Sequence, residues 1–165
     1  MHYENEAELY SDVSRWFERI LSSKFPRANI TVYDTSKVVL SRFLFERGLH
    51  QFFPQYQTFE IEVDITGVIR RDKDVGLSFV ECKLGKINLR DLSQLIGYSK
   101  VANPEVSIIM SPAGVSDSIN FLFGVHRRDD ILLYSSNRFI RIAKWLATKQ
   151  DIDYANLLPK GSQLI

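Results

Sequence analysis

The sequence lacks several features that define other classes of protein. Cys82 is the single cysteine, which excludes an internal disulfide and a cysteine-based zinc cluster. No apolar run approaches the roughly 20 residues that a membrane-spanning helix needs, and the first residues are polar and acidic, unlike a secretory signal or a transit peptide. We therefore expect a cytoplasmic protein with no membrane partner.

A charge excess is also missing, because the formal net charge at pH 7 is only +1. This near-neutral balance counts against tight nonspecific binding to nucleic acid by the chain alone. The 165 residues contain no internal repeat, no low-complexity tract and no Gly/Ser linker. They predict a single domain, residues 1–165, that is large enough to bury a hydrophobic core.

What the sequence does contain is an alternation of helical and strand-like segments. Asn88 is a suitable cap for one of the helices. The spacing of apolar residues predicts helix 6–25, strand 28–34, helix 35–49, strands 59–69 and 76–84, helix 88–102, strand 106–110, helix 116–128 and a closing hairpin over 130–146. This succession predicts an α/β protein whose mixed sheet is flanked by helices.

Charged side chains lie on two neighbouring strands that otherwise carry core residues. Because side chains alternate between the faces of a strand, Glu62 and Asp64 share one face of strand 59–69. Glu81 and Lys83 share one face of strand 76–84 in the same way. A turn centred within residues 70–75 would set Asp64 opposite Glu81, whereas a slip of one residue would send Glu81 to the other face.

Two carboxylates that meet in this way need a compensating charge. At a separation of ~4 Å and an effective dielectric near 20 they repel each other by about 4 kcal/mol, and Lys83 can neutralise only one of them. Hard oxygen ligands suit Mg²⁺ or Mn²⁺, and carboxylates, a divalent ion and a lysine are the parts of a phosphodiester hydrolase. The alternative is a cross-strand salt bridge on a solvated sheet face, which contributes less than ~1 kcal/mol.

Three motifs together resemble the PD-(D/E)XK nuclease superfamily, in its Q-x-x-x-Y, RecB-like branch. They are Asp64, the run Glu81-Cys82-Lys83, and the helix motif from Gln94 to Tyr98. The resemblance covers about residues 5–111 and implies a restriction-endonuclease-like αβββαβ core, with residues 35–57 as a helical insertion. Residues 112–165 form a C-terminal extension, a helix plus a hairpin, that matches no motif. "EVD" stands where the family name has "PD".

The resemblance implies a role for each motif residue. Asp64 and Glu81 would bind the metal, with the Cys82 backbone carbonyl as a further ligand, and Lys83 would act in catalysis. Gln94 would orient Lys83 or the attacking water. Tyr98, four residues later on the same helical face, would support the site or the DNA backbone.

Some positions are left open by the resemblance. Family members often add an acid from the first helix, for which Glu8 and Glu18 are the candidates. Glu62 is either an auxiliary ligand or an exposed residue. The candidate phosphate contacts, which would otherwise be solvated charges, are Arg90, Lys86 and Lys100.

The implied activity is hydrolysis of DNA phosphodiester bonds by a water nucleophile, dependent on Mg²⁺, for which Mn²⁺ would substitute. Two alternatives stay open. One is a non-cleaving module that keeps the fold and binds DNA or protein, and the other is a structure-specific, junction or RNA nuclease. The near-neutral charge favours help from a homodimer or a larger nucleoprotein complex.

Overall fold

The computed structural model describes residues 3–165 and contains a six-stranded mixed sheet. The strands are β1 (Asn29–Asp34), β2 (Ile65–Arg70), β3 (Val75–Cys82), β4 (Val106–Ser111), β7 (Arg141–Leu146) and β8 (Asp151–Ile152), in that spatial order. A separate two-stranded sheet pairs β5 (Leu133–Ser135) with β6 (Arg138–Phe139). The expectation of a mixed sheet flanked by helices is therefore confirmed.

The strand directions bring several strand ends to one edge of the sheet. β3, β4 and β7 are parallel, so their carboxyl ends meet there, and β2 is antiparallel to β3, so its first residue lies at the same edge. We call this the carboxyl edge. The opposite edge holds the turn between β2 and β3, residues 71–74, and we call it the hairpin edge.

The helices cover both faces of the sheet. α1 (Glu6–Lys24) packs on one face, where a Cβ on Gly67 would lie 2.6 Å from Leu21 Cδ1, so glycine lets the helix approach β2 closely. The other face packs against α2 (Leu40–Glu46), α3 (Leu89–Ala102) and α4 (Asp117–Asn120), which a π-helical turn (Phe121–Val125) extends. None of the helices within residues 3–165 is long and apolar enough to cross a membrane.

The first strand of the charged pair starts later than predicted. Residues 59–64 lie outside the sheet, and several of their carbonyl groups accept hydrogen bonds from residues 35–41 instead. The backbone N–H of Leu40 donates to the Ile61 carbonyl at 2.7 Å, and the Thr35 hydroxyl donates to Val63 at 2.7 Å. For the same reason α2 begins at Leu40 rather than near residue 35.

The closing hairpin also differs from its prediction. Within residues 130–146 the hairpin consists of β5 and β6, with Asn137 in the left-handed conformation (φ 58°) at its turn. The following strand, β7, leaves that hairpin and joins the main sheet beside β4. It does so because Ile142, Ala143 and Trp145 are buried against the two faces of the sheet, which a free hairpin could not provide.

Candidate active site

The strand register agrees with the predicted approach of the two acidic positions. Ile65 pairs with Val80 at the end of the antiparallel ladder of β2 and β3. Asp64 immediately precedes β2, outside the ladder, and its carboxylate lies at the carboxyl edge beside the Glu81–Cys82 segment of β3. The short turn between the strands determines this register.

Both oxygens of Asp64 are engaged. Oδ2 accepts a hydrogen bond from the Cys82 backbone N–H at 2.8 Å, and Oδ1 accepts one from the Tyr10 hydroxyl at 2.9 Å. Burial raises the pKa of Asp64, although these two hydrogen bonds and the charge of Lys83 oppose the rise. The carboxylate is therefore held in one orientation by groups from β3 and α1.

Glu81 is less completely satisfied than Asp64. Its side chain is 7% exposed, Oε1 accepts a bond from Lys83 Nζ at 2.8 Å, and Oε2 is buried with no hydrogen-bond partner within residues 3–165. Burial, and then the charge of Asp64, raise the pKa of Glu81 to about 7 despite the ammonium group beside it. A buried carboxylate oxygen without a partner is costly unless something else binds it.

Lys83 is the cation of the site. Its burial lowers its pKa, but the bond to Glu81 and the charges of Glu81, Asp64 and Glu6 outweigh that effect and raise the pKa overall. The amine therefore stays protonated at neutral pH and can donate hydrogen bonds to a negatively charged group.

Tyr10 and Glu6 of α1 also belong to the site, although the sequence patterns did not identify them. The Tyr10 hydroxyl lies 3.3 Å from Glu6 Oε2 as well as 2.9 Å from Asp64. Burial and the charge of Asp64 raise the pKa of Tyr10, so it remains a neutral donor. The charge of Glu6 also contributes to the raised pKa of Asp64. Glu6 is thus a carboxylate near Asp64, linked to it through the Tyr10 hydroxyl.

The two acids proposed from the first helix lie elsewhere. Glu8 is exposed and caps the start of α1, accepting bonds from the Glu4 backbone and the Asn5 side chain. Glu18 is exposed and lies twelve residues beyond Glu6, about 18 Å along the helix axis. The signal that could have identified Glu6 is its spacing, because it continues the buried stripe of Tyr10, Val13 and Phe17.

Cys82 separates the two charged residues of β3. Its side chain is buried in the core beneath α1, as expected, and burial raises the pKa of the thiol far above its usual range. The thiol is therefore uncharged. The backbone of Cys82 contributes through its N–H, which binds Asp64.

The helix motif forms an internal pair. Gln94 Nε2 donates to the Tyr98 hydroxyl at 3.0 Å, and Gln94 is exposed. The structure of residues 3–165 records no hydrogen bond from Gln94 to Lys83, one of the two groups, with the attacking water, that it was expected to orient. The capping box between Asn88 and Asp91 begins α3 at the predicted position.

The remaining candidates lie on the surface. Exposed positions are Arg90, Lys86, Lys100 and Glu62. Of the two interpretations left open for Glu62, exposure agrees with a surface residue.

The donors at this site fit a hard divalent cation, although they are few. Within residues 3–165 no three His, Cys, Asp or Glu side chains are grouped so that they could hold a metal ion. Glu81 nevertheless offers a buried oxygen with no partner, and Asp64 adds negative charge next to it. Carboxylate oxygens are the ligands that Mg²⁺ prefers.

The comparisons with known proteins add no relative. No protein-family model, curated protein sequence or solved structure matches the chain. Together, the fold and the site define an α/β protein with a buried acidic pair and a lysine at the carboxyl edge of its sheet.

Proposed function

We propose that the chain is a Mg²⁺-dependent nuclease of restriction-endonuclease-like fold that hydrolyses phosphodiester bonds of DNA. One observation carries this proposal: Glu81 keeps a buried oxygen without a partner beside Asp64, while Lys83 binds its other oxygen. A structural ion pair would satisfy both oxygens, because unpaired buried acceptors lower stability. The unused oxygen favours a ligand of positive charge.

Asp64 and Glu81 would hold the ion, with the Cys82 carbonyl as a further ligand. When bound, a divalent ion lowers the pKa of a water and withdraws charge from a phosphate. The Tyr10 hydroxyl and the Cys82 N–H keep the Asp64 carboxylate oriented. This preorganisation avoids rearrangement during the reaction.

Lys83 would act on the substrate rather than only on Glu81. Its side chain is 26% exposed, so the ammonium group can reach a phosphate at the surface while it stays within 2.8 Å of Glu81 Oε1. A protonated amine there stabilises the negative charge that develops on a phosphate oxygen, or orients the attacking water.

The test is a nicking assay with Mg²⁺ or Mn²⁺ on supercoiled plasmid, branched DNA and single-stranded DNA. We expect Lys83→Ala to lower the rate by about 100-fold or more. Lys73→Ala is the matched control, because Lys73 is an exposed lysine at the hairpin edge. Equal rates for wild type and Lys83→Ala would refute the assignment and point to a contaminating nuclease. Cleavage of branched DNA or of RNA alone would redirect the proposal to those substrates.

A second candidate is a non-cleaving module that binds DNA or protein. It is favoured by the Gln94–Tyr98 pair, which leaves Gln94 bonded within α3 rather than to Lys83. Such a module would bind labelled DNA, or a protein partner, without nicking any substrate in the presence of Mg²⁺ or Mn²⁺.

A further inference from the structure

The carboxyl edge holds a second feature that the proposed active site does not use. A cavity of about 300 Å³ opens there, lined by Lys86, Lys144 and Lys160 and by the side chains of Asn120 and Asn156. None of its lining residues is acidic. The three lysines come from three separate segments, so the fold and not a local charge run brings them together.

The cavity and the acidic pair are neighbours along the same edge. β4 lies between β3 and β7, and Lys144 pairs with Ser111 at the end of β4. Two strand spacings separate β3 from β7, about 10 Å. The loop after β3 is tied to the loop after β4, because the Ile87 N–H donates to the Gly114 carbonyl at 2.9 Å.

The positive charges of the cavity are only partly offset within the described residues, by Asp153: the hydrogen bond from Asn156, and to a smaller extent the charge of Lys144, lower the pKa of that carboxyl. No salt bridge involves Lys86, Lys144 or Lys160 within residues 3–165. Lys160 Nζ donates only to a neutral group, the Ala155 carbonyl, at 3.2 Å. Asp153, the acid nearest in sequence to Asn156, accepts a bond from the Asn156 amide at 2.7 Å.

We propose that this cavity binds a backbone phosphate of the DNA strand that the active site cleaves. This proposal rests on the proposed function, and the cavity would be the surface that positions the DNA substrate. Three ammonium groups and two amides suit a phosphodiester anion. Each nucleotide of a bound strand carries a phosphate, so at ~10 Å the cavity would hold a phosphate close to the scissile bond in the same strand.

The experiment measures the binding of fluorescently labelled duplex DNA by anisotropy, in EDTA and over a range of NaCl concentrations. The variant is the double substitution Lys144→Gln/Lys160→Gln. The control is Lys24→Gln/Lys73→Gln, which removes two exposed lysines from the hairpin edge and changes the net charge equally. Thermal unfolding of both variants checks that they are folded.

We expect the cavity variant to bind more weakly and its salt dependence to become shallower. Each lost phosphate contact lowers the slope of log K against log[salt] by about 0.9, so a fall of about one unit is expected for the loss of one bound phosphate. The control should keep the slope of the wild type. Equal weakening of both variants would overturn the proposal, because net charge alone would then explain binding. A salt slope that is the same in wild type and in both variants would also overturn the proposal.

Two further arms separate this inference from the proposed activity and from other ligands. Lys83→Ala should lose cleavage, and adding Lys144→Gln/Lys160→Gln to it should still lower its salt slope by about one unit. A wild type that never nicks DNA, but whose slope falls in the cavity variant, would refute the nuclease and support the cavity. If the cavity variant weakens binding of labelled RNA but leaves binding of DNA unchanged, DNA is the wrong ligand.

Discussion

The two ends of the β2–β3 hairpin place charged groups in opposite situations. At the hairpin edge, Arg71 binds both oxygens of Glu105, at 2.7 and 2.8 Å, and its guanidinium lies 5.1 Å from the centre of the Phe25 ring. At the carboxyl edge, Lys83 binds one oxygen of Glu81, and the other is buried without a partner.

The difference separates a structural ion pair from a candidate site. A carboxylate that binds an arginine through both oxygens has both acceptors satisfied and needs no further ligand. Gly76 lies next to the Arg71–Glu105 pair, and a Cβ at this position would overlap the Glu105 carboxylate. The acidic pair at the other end retains negative charge and an unused acceptor, which a structural role does not explain.

The largest effect is expected for the carboxylate that the fold holds most firmly. Asp64→Asn keeps the shape of the side chain but removes its charge, so the affinity for Mn²⁺ and the rate of nicking should both fall, the rate by about 100-fold or more. Thermal unfolding with and without Mn²⁺ measures the binding without any substrate. Glu105→Gln, at the hairpin edge, should leave both unchanged. Stabilisation by Mn²⁺ that persists in Asp64→Asn would contradict the site.

A second comparison concerns stability without metal at pH 8. Glu105→Gln should lower the free energy of unfolding by about 1–2 kcal/mol, because Arg71 loses a charged partner. Glu81→Gln should leave it equal or raise it, since the change removes a buried charge and Asp64 still lies near Lys83. Chemical denaturation in EDTA measures both. If Glu81→Gln lowers the free energy of unfolding as much as Glu105→Gln does, the ion pairs at the two ends of the hairpin are alike and the distinction fails.

The last comparison is a pH dependence of the same free energy of unfolding. The pKa of Glu81 is raised from 4.5 to about 7 in the folded chain. The folded state therefore binds this proton more tightly than the unfolded state, and the stability that results is complete below pH 4.5 and is lost as the pH rises to about 7. The difference in unfolding free energy between Glu81→Gln and wild type, in EDTA, should increase over that interval. A constant difference would mean that Glu81 titrates normally.

Local regularities of the sequence predicted a substantial part of this structure. The approach of Asp64 to Glu81 followed from a short turn and strand alternation, and the Gln94–Tyr98 contact followed from helical spacing. α1, α3 and β4 likewise lie close to their predicted bounds. In each case the residues concerned are close in the chain or are governed by a single periodic pattern.

Other features depended on partners that no local pattern specifies. β2 begins at Ile65 because several carbonyls before it bind residues 35–41, and β7 leaves its hairpin because the main sheet buries its side chains. Gln94 was expected to orient Lys83 or the attacking water, and its amide donates to the Tyr98 hydroxyl. These outcomes reflect competition between alternative partners, which tertiary packing decides.

By itself, the sequence determined which strands carry the acids and in what register they meet, because alternation and turn length act between near neighbours. Only the tertiary structure decided that Tyr10, 54 residues before Asp64, holds one of its oxygens, and that three distant lysines share a cavity. Contacts of that kind depend on how helices and loops pack across a finished sheet, where burial and geometry select among many polar residues that look equivalent in the chain.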